Sequence, residues 1–133
     1  MGHTPISAAD APQPIGPYSV AARDEASGLL FLSGQTPIDP ATGALVDGDV
    51  AAQTRRVFAN LERVLSAANA TFADVIKVNV YLTSMADFAD LNEVYATIFT
   101  APYPARTTVA VAELPLGARI EIELVARTGD SSR

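Results

Sequence analysis

The spacing of apolar residues changes character at Val50. From there Val50, Thr54, Val57, Phe58, Leu61, Val64, Leu65 and Ala68 recur at three- and four-residue steps, the stripe of a helix with one face on a core. Asp49 stands just before the stripe, where a carboxylate can cap the free N–H groups of the first turn. Arg55, Arg56, Glu62 and Arg63 fall off the stripe and are expected to face water. A second helix is predicted over residues 85–100. Phe88, Leu91, Tyr95, Ile98 and Phe99 face inward, and Ser84-Met85-Ala86-Asp87 serves as a capping box.

Between the helices the period falls to two. Over residues 74–82, Ile76, Val78, Val80 and Leu82 form an apolar strand face, and Lys77, Asn79 and Tyr81 a polar one. The last strand alternates in the same way, with Ile120, Ile122 and Leu124 against Arg119, Glu121 and Glu123. Leu29-Leu30-Phe31-Leu32-Ser33, bounded by Gly28 and Gly34, reads as another strand. Residues 18–25 are its predicted hairpin partner across Ala26-Ser27-Gly28. Residues 37–49 hold Asp39-Pro40-Ala41-Thr42-Gly43 and read as a loop. Residues 1–13 are rich in proline and alanine and are expected to be weakly ordered.

With a further strand starting at Arg106 after Pro102 and Pro104, the resulting order, β-β-α-β-α-β-β, predicts an α+β fold in one domain spanning residues 1–133, with two helices on one face of a sheet. Two helices are too few to cover both faces. The second carries Lys77, Asn79, Tyr81, Glu121 and Glu123, with Val109, Val111 and Val125 as further candidates. It either meets water or packs against another copy of the chain.

Composition narrows the chemistry. The 133 residues suit one core that buries roughly two-thirds of the unfolded surface. Fifteen acids against nine bases give a net charge of −6, and Lys77 is the only lysine, a poor match for the basic stripe of a nucleic-acid binder. No run approaches the ~18–20 apolar residues of a membrane span, and residues 1–13 lack the pattern of a signal peptide. A cytoplasmic protein with no nucleic-acid or membrane partner is expected. Without cysteine, and with His3 as the one histidine, thiol chemistry and histidine metal sites are excluded. A carboxylate-only cation site has no Asp-x-Asp-x-Asp-Gly loop to support it.

An arginine and a glutamate are what remain. Arg106 follows Pro102-Tyr103-Pro104-Ala105, a stiff approach that can aim a guanidinium, whose planar fork matches a carboxylate. On its own, an arginine at a strand start reads first as a surface residue or half of an internal ion pair. Glu121 projects from the sheet's second face, where a carboxylate near a cation can accept a proton from water. A Glu121/Glu123 pair is also what a solvated strand face looks like. The loop through Leu114-Pro115-Leu116-Gly117-Ala118 can fold the arginine and the glutamate onto one another. Gly34 permits close backbone approach, and Tyr18 and Ser33 offer hydroxyls. Lys77 reads as a partner for Glu121 or Glu123 rather than a Schiff-base amine. Asn92 lies beside the helical stripe.

Taken in order, Pro14-Ile15-Gly16-Pro17-Tyr18-Ser19, Ser33-Gly34-Gln35, Asn92-x-x-Tyr95, Pro104-Ala105-Arg106 and Leu114-Pro115-x-Gly117-Ala118-x-x-Glu121-Ile122-Glu123 closely resemble the RidA (YjgF) family of enamine/imine deaminases, from about residue 12 to 127. The resemblance implies a chorismate-mutase-like subunit with a mixed sheet, assembled as a homotrimer with active sites in the clefts between subunits. It implies 2-imino and 2-enamino acids such as 2-iminopropanoate and 2-iminobutanoate as substrates, hydrolysed to 2-oxo acids and ammonium without a cofactor or metal. Carried onto this chain, Arg106 clamps the substrate carboxylate and Glu121 positions and activates the water. Tyr18, Ser33, Gly34 and Asn92 line the pocket. Thr108 stands where many relatives have cysteine, which leaves the backbone N–H there as its contribution. The alternatives are a non-catalytic ligand-binding or chaperone-like protein, and a ribonuclease or translation inhibitor as attributed to some relatives.

Overall fold

The computed structural model describes residues 2–127. Its six strands are β1 (His3–Ile6), β2 (Ala21–Asp24), β3 (Leu29–Gln35), β4 (Val75–Leu82), β5 (Ala105–Ala110) and β6 (Ile120–Arg127). The helices are α1 (Val50–Ala67) and α2 (Phe88–Ile98). The strands form one sheet in the order β1-β2-β3-β6-β4-β5. It is mixed, because β5 runs parallel to β4 and every other neighbour pair is antiparallel. The expected α+β architecture, two helices on one face of a mixed sheet, is what the chain adopts.

Local chemistry accounts for the helix ends. Asp49 Oδ1 accepts from the Ala52 N–H at 2.9 Å, and α1 closes where Asn69 turns left-handed (φ 60°). Ala70 N–H then reaches Leu65 O at 2.9 Å and Asn69 N–H reaches Ser66 O at 3.0 Å, which satisfies two end carbonyls. The start of the second helix differs from its prediction. Ser84 caps a short 3₁₀ turn over Met85–Asp87 through the Ala86 N–H, and α2 proper begins at Phe88. The Asp87 carboxylate closes no capping box. It bonds Arg119 Nη2 at 2.8 Å and ties the head of α2 to the start of β6.

Both helices bury their stripes on Val78, Val80, Leu82, Ile120, Ile122 and Leu124. Phe58 is the hub, edge-on to Phe72, Tyr95 and Phe99 at ring-centroid distances of 5.9, 6.1 and 5.9 Å. Rings of this size contribute about 0.5–1.5 kcal/mol per pair beyond the area they bury.

Two departures from simple alternation matter. Ile76 was expected on the apolar face but is 44% exposed, while Val75 is buried. The β4–β6 register shifts between Val75 and Lys77, so an extra residue reverses the facing on one side of the irregularity. A second shift falls between Leu32 and Gln35, opposite Leu124 and Ile122, so Ser33-Gly34 bulges out of β3. The start of the chain is also more ordered than its composition suggests. His3–Ile6 pairs with β2 as an edge strand, and Ala8 and Ala11 are buried in the core. Met1 lies outside the described residues.

Candidate functional site

The Arg106 group stands on the helix side of the edge strand. In the register Arg106 sits beside Val78 and Thr108 beside Val80, both fully buried neighbours, so these side chains share the helix-covered face. Phe88, Asn92 and Tyr95, at i, i+4 and i+7 of α2, meet them there. Arg106 Nη1 donates to Asn92 Oδ1 at 2.8 Å. Its guanidinium lies 4.5 Å from the Tyr95 ring centroid and 5.6 Å from that of Phe88, within range of cation–π attraction. Arg106 makes no ion pair among the described residues. Asn92, Tyr95, Tyr103, Pro104 and Arg106 line a 370 Å³ cavity. The cation is therefore aimed by an amide and two rings, and its charge is unspent.

Buried beside this group are two hydroxyls, Tyr95 Oη and Thr108 Oγ1, with no hydrogen-bond partner among the described residues. Burial raises the Tyr95 pKa and the nearby Arg106 charge works against that rise.

The Glu121 group stands on the opposite, open face. Glu121 lies across from Tyr81 and alternates with the buried Ile120 and Ile122. The Ser33-Gly34 bulge brings backbone under it. A Cβ on Gly34 would lie 2.9 Å from Glu121 Cδ and 3.1 Å from its Cγ, a space no side chain can share. Burial, and then the charge of Glu123, push the Glu121 carboxyl above the ordinary glutamate range. Ser33 Oγ donates to Ser19 O at 2.7 Å, which pins the chain beside Tyr18 to the bulge. Tyr18, itself half-exposed, joins Ser33, Gly34, Glu121, Ile15 and Leu116 around a 620 Å³ cavity. Leu116 holds a left-handed backbone (φ 59°) at its rim, an unusual conformation for a leucine.

The chain thus gathers the candidate residues into two separate groups, each holding half of the set. Tyr18, Ser33, Gly34 and Glu121 come together, and so do Asn92, Arg106 and Thr108. The intervening loop does not fold Arg106 onto Glu121 within one chain, because β4 separates their strands and their side chains leave opposite faces of the sheet. Lys77 also departs from expectation. Its Nζ donates to Thr107 Oγ1 at 2.8 Å rather than pairing with either glutamate. The sequence reading put Phe88 and Tyr95 in the core stripe and missed their second role under the guanidinium. The only available signal was their spacing around Asn92. Among the described residues no cluster of three potential ligands could hold a metal, and no helix is long and apolar enough to cross a membrane.

Comparison with known proteins gives a consistent result. The family model described as Endoribonuclease L-PSP matches residues 8–128. A RutC family protein of Pyrococcus horikoshii is 52% identical over 117 residues, covering 88% of this chain and 91% of its own. A 2-iminobutanoate/2-iminopropanoate deaminase of Mus musculus is 42% identical over 124 residues, 93% of this chain and 90% of its own. The crystal structure of E. coli TdcF with bound serine matches with a TM-score of 0.87 at 39% identity, over 95% of this chain and 99% of that one.

Proposed function

The chain belongs to the RidA (YjgF) family, and from that premise we propose that it hydrolyses 2-imino acids, and their enamine tautomers, to 2-oxo acids and ammonium. 2-Iminopropanoate and 2-iminobutanoate are the proposed substrates. One observation carries the reading: Arg106 is oriented by Asn92 and Tyr95 yet has no acidic partner among the described residues. A guanidinium so held is a ready receptor for a carboxylate, the group every 2-imino acid carries.

The half-sites complete one another only between copies. We therefore infer a homotrimer in which Arg106 and Asn92 of one subunit face Tyr18, Gly34 and Glu121 of the next. In that cleft Arg106 grips the carboxylate of the N-protonated substrate, an iminium, and Glu121 accepts a proton from water as its oxygen bonds to the iminium carbon. The C=N π electrons pass to nitrogen, and Glu121 returns the proton there. The C–N bond then breaks as the hydroxyl oxygen forms the ketone, and ammonia takes up the hydroxyl proton to leave as ammonium. The iminium carbon is already electrophilic, so placement and one proton acceptor suffice; a positioned base alone contributes about 10²–10⁴-fold. Thr108 contributes its backbone N–H, and Ser33 and Tyr18 shape the cleft.

The test is complementation. Arg106→Ala and Glu121→Gln should each be inactive in 2-oxobutanoate release downstream of a threonine dehydratase. Mixed, unfolded and reassembled together, they should recover about a quarter of the wild-type rate, because a random cyclic trimer joins one intact half to the other at that frequency. Recovery of nothing would reject the shared cleft. Near-normal activity of Arg106→Ala alone would reject the clamp.

A further inference from the structure

Glu121-Ile122-Glu123 puts two glutamates on one face of β6, their Cα atoms about 6.6 Å apart by two residues' rise. Their surroundings differ. Glu123 Oε1 accepts hydrogen bonds from the Tyr81 hydroxyl and, at 3.5 Å, from Asn79 Nδ2. Glu121 accepts none among the described residues and lies instead over Gly34, which offers no side chain. Neither carboxyl has a cationic partner among the described residues.

We propose that Glu123 is a positioning residue for the deamination, its carboxylate engaged by the Tyr81 and Asn79 donors so that the proton of the attacking water goes to Glu121 alone. This rests on the reading of Glu121 as the water-activating group. Two neighbouring carboxyls with like surroundings share a proton between them, and neither is then a dependable acceptor. Donors on one partner alone break the tie, because they stabilise its charged form. The remaining anion then disfavours a second charge close by, so the other carboxyl becomes the more basic.

The electrostatic surroundings point the same way. Burial and then the Glu123 charge push Glu121 upward. The hydrogen bond to Glu123, foremost among several causes, raises Tyr81 to about 12, so the phenol stays a donor at neutral pH. Lys77, Asn79 and Tyr81 face the pair from β4, Ser33 from the β3 bulge and Tyr18 from the loop before β2. His3 of β1 lines, with Glu123, a 360 Å³ cavity.

Site-specific ¹³C NMR titration of the Glu121 carboxyl, beside the pH profile of kcat/KM, tests this. Glu123→Gln keeps an acceptor for Tyr81 and removes the charge. The Glu121 midpoint and the acidic limb should both move to lower pH, and by the same amount, because one neighbouring charge is removed from both readouts. KM should be unchanged. Tyr81→Phe should turn the single Glu121 step into a shared two-step titration, and should have no effect in a Glu123→Gln background. Repeating the series with His3→Ala removes the imidazole from the comparison. An active wild type whose Glu121 titration ignores both substitutions overturns this proposal alone. A wild type with no deaminase activity overturns the functional reading and this proposal with it.

Discussion

The Glu121 carboxyl occupies the space where Gly34 would carry a side chain. A Cβ there would sit 2.9 Å from Glu121 Cδ, inside any real contact distance. The bulge at Ser33-Gly34 exists in β3 where the pairing with β6 skips, so strand irregularity and carboxyl placement are one arrangement.

Gly34→Ala should therefore act on Glu121 before it acts on the fold. We expect kcat/KM to fall on the order of 10²-fold, the scale of a misplaced catalytic group, with the circular dichroism spectrum retained. The atoms in the way all belong to the Glu121 side chain, which can swing aside, so the denaturation midpoint should move little. Wild-type activity in Gly34→Ala would show that the carboxyl works equally well elsewhere.

At Tyr95 the ring and the hydroxyl should separate. The hydroxyl is buried without a partner among the described residues, so Tyr95→Phe should keep turnover and raise stability by up to about 1 kcal/mol. Tyr95→Leu removes the surface under the guanidinium and should raise KM while kcat changes less, because ground-state carboxylate binding is lost first. Equal kinetics for the two variants would remove the ring from the account.

Thr108→Val replaces another buried, unpartnered hydroxyl with a methyl. If position 108 contributes its backbone N–H, activity should stay within a few-fold of wild type and the melting temperature should rise. A loss of activity on the scale of 10²-fold would assign the hydroxyl a direct part in binding.

Stability should carry the signature of Glu121. Its folded-state pKa is raised by burial and by Glu123, so between the ordinary glutamate value and the raised one the folded chain binds more protons than the unfolded chain. This contribution to stability is present at acid pH and is lost as pH rises through the raised folded pKa. Glu121→Gln, which cannot ionise, should be more stable than wild type at neutral pH, and the gap should close on acidification. Denaturant midpoints at several pH values between 4 and 8 read this directly, and a gap that widened at low pH would contradict it.

Much of the molecule was legible in one dimension. Helical stripes and two-residue alternation set α1, α2 and the facing of β6, because those periods belong to the backbone itself. Asp49 could be read as a cap, and Arg106, Glu121, Tyr18, Ser33, Gly34 and Asn92 as the residues worth attention. Pairing partners were not legible. The extra residue at Ile76 and the Ser33-Gly34 bulge exist only relative to β6. The strand at His3–Ile6 is stabilised by β2 rather than by its own proline-rich composition.

The amino-acid order thus determined which side chains are available and where both helices and every strand but His3–Ile6 would form, since local periodicity and capping act within a few residues. Only the tertiary structure decided that Arg106 and Glu121 leave opposite faces of the sheet. That outcome depends on β4 lying between their strands and on the register of each pairing, which are set by packing over long separations in the chain.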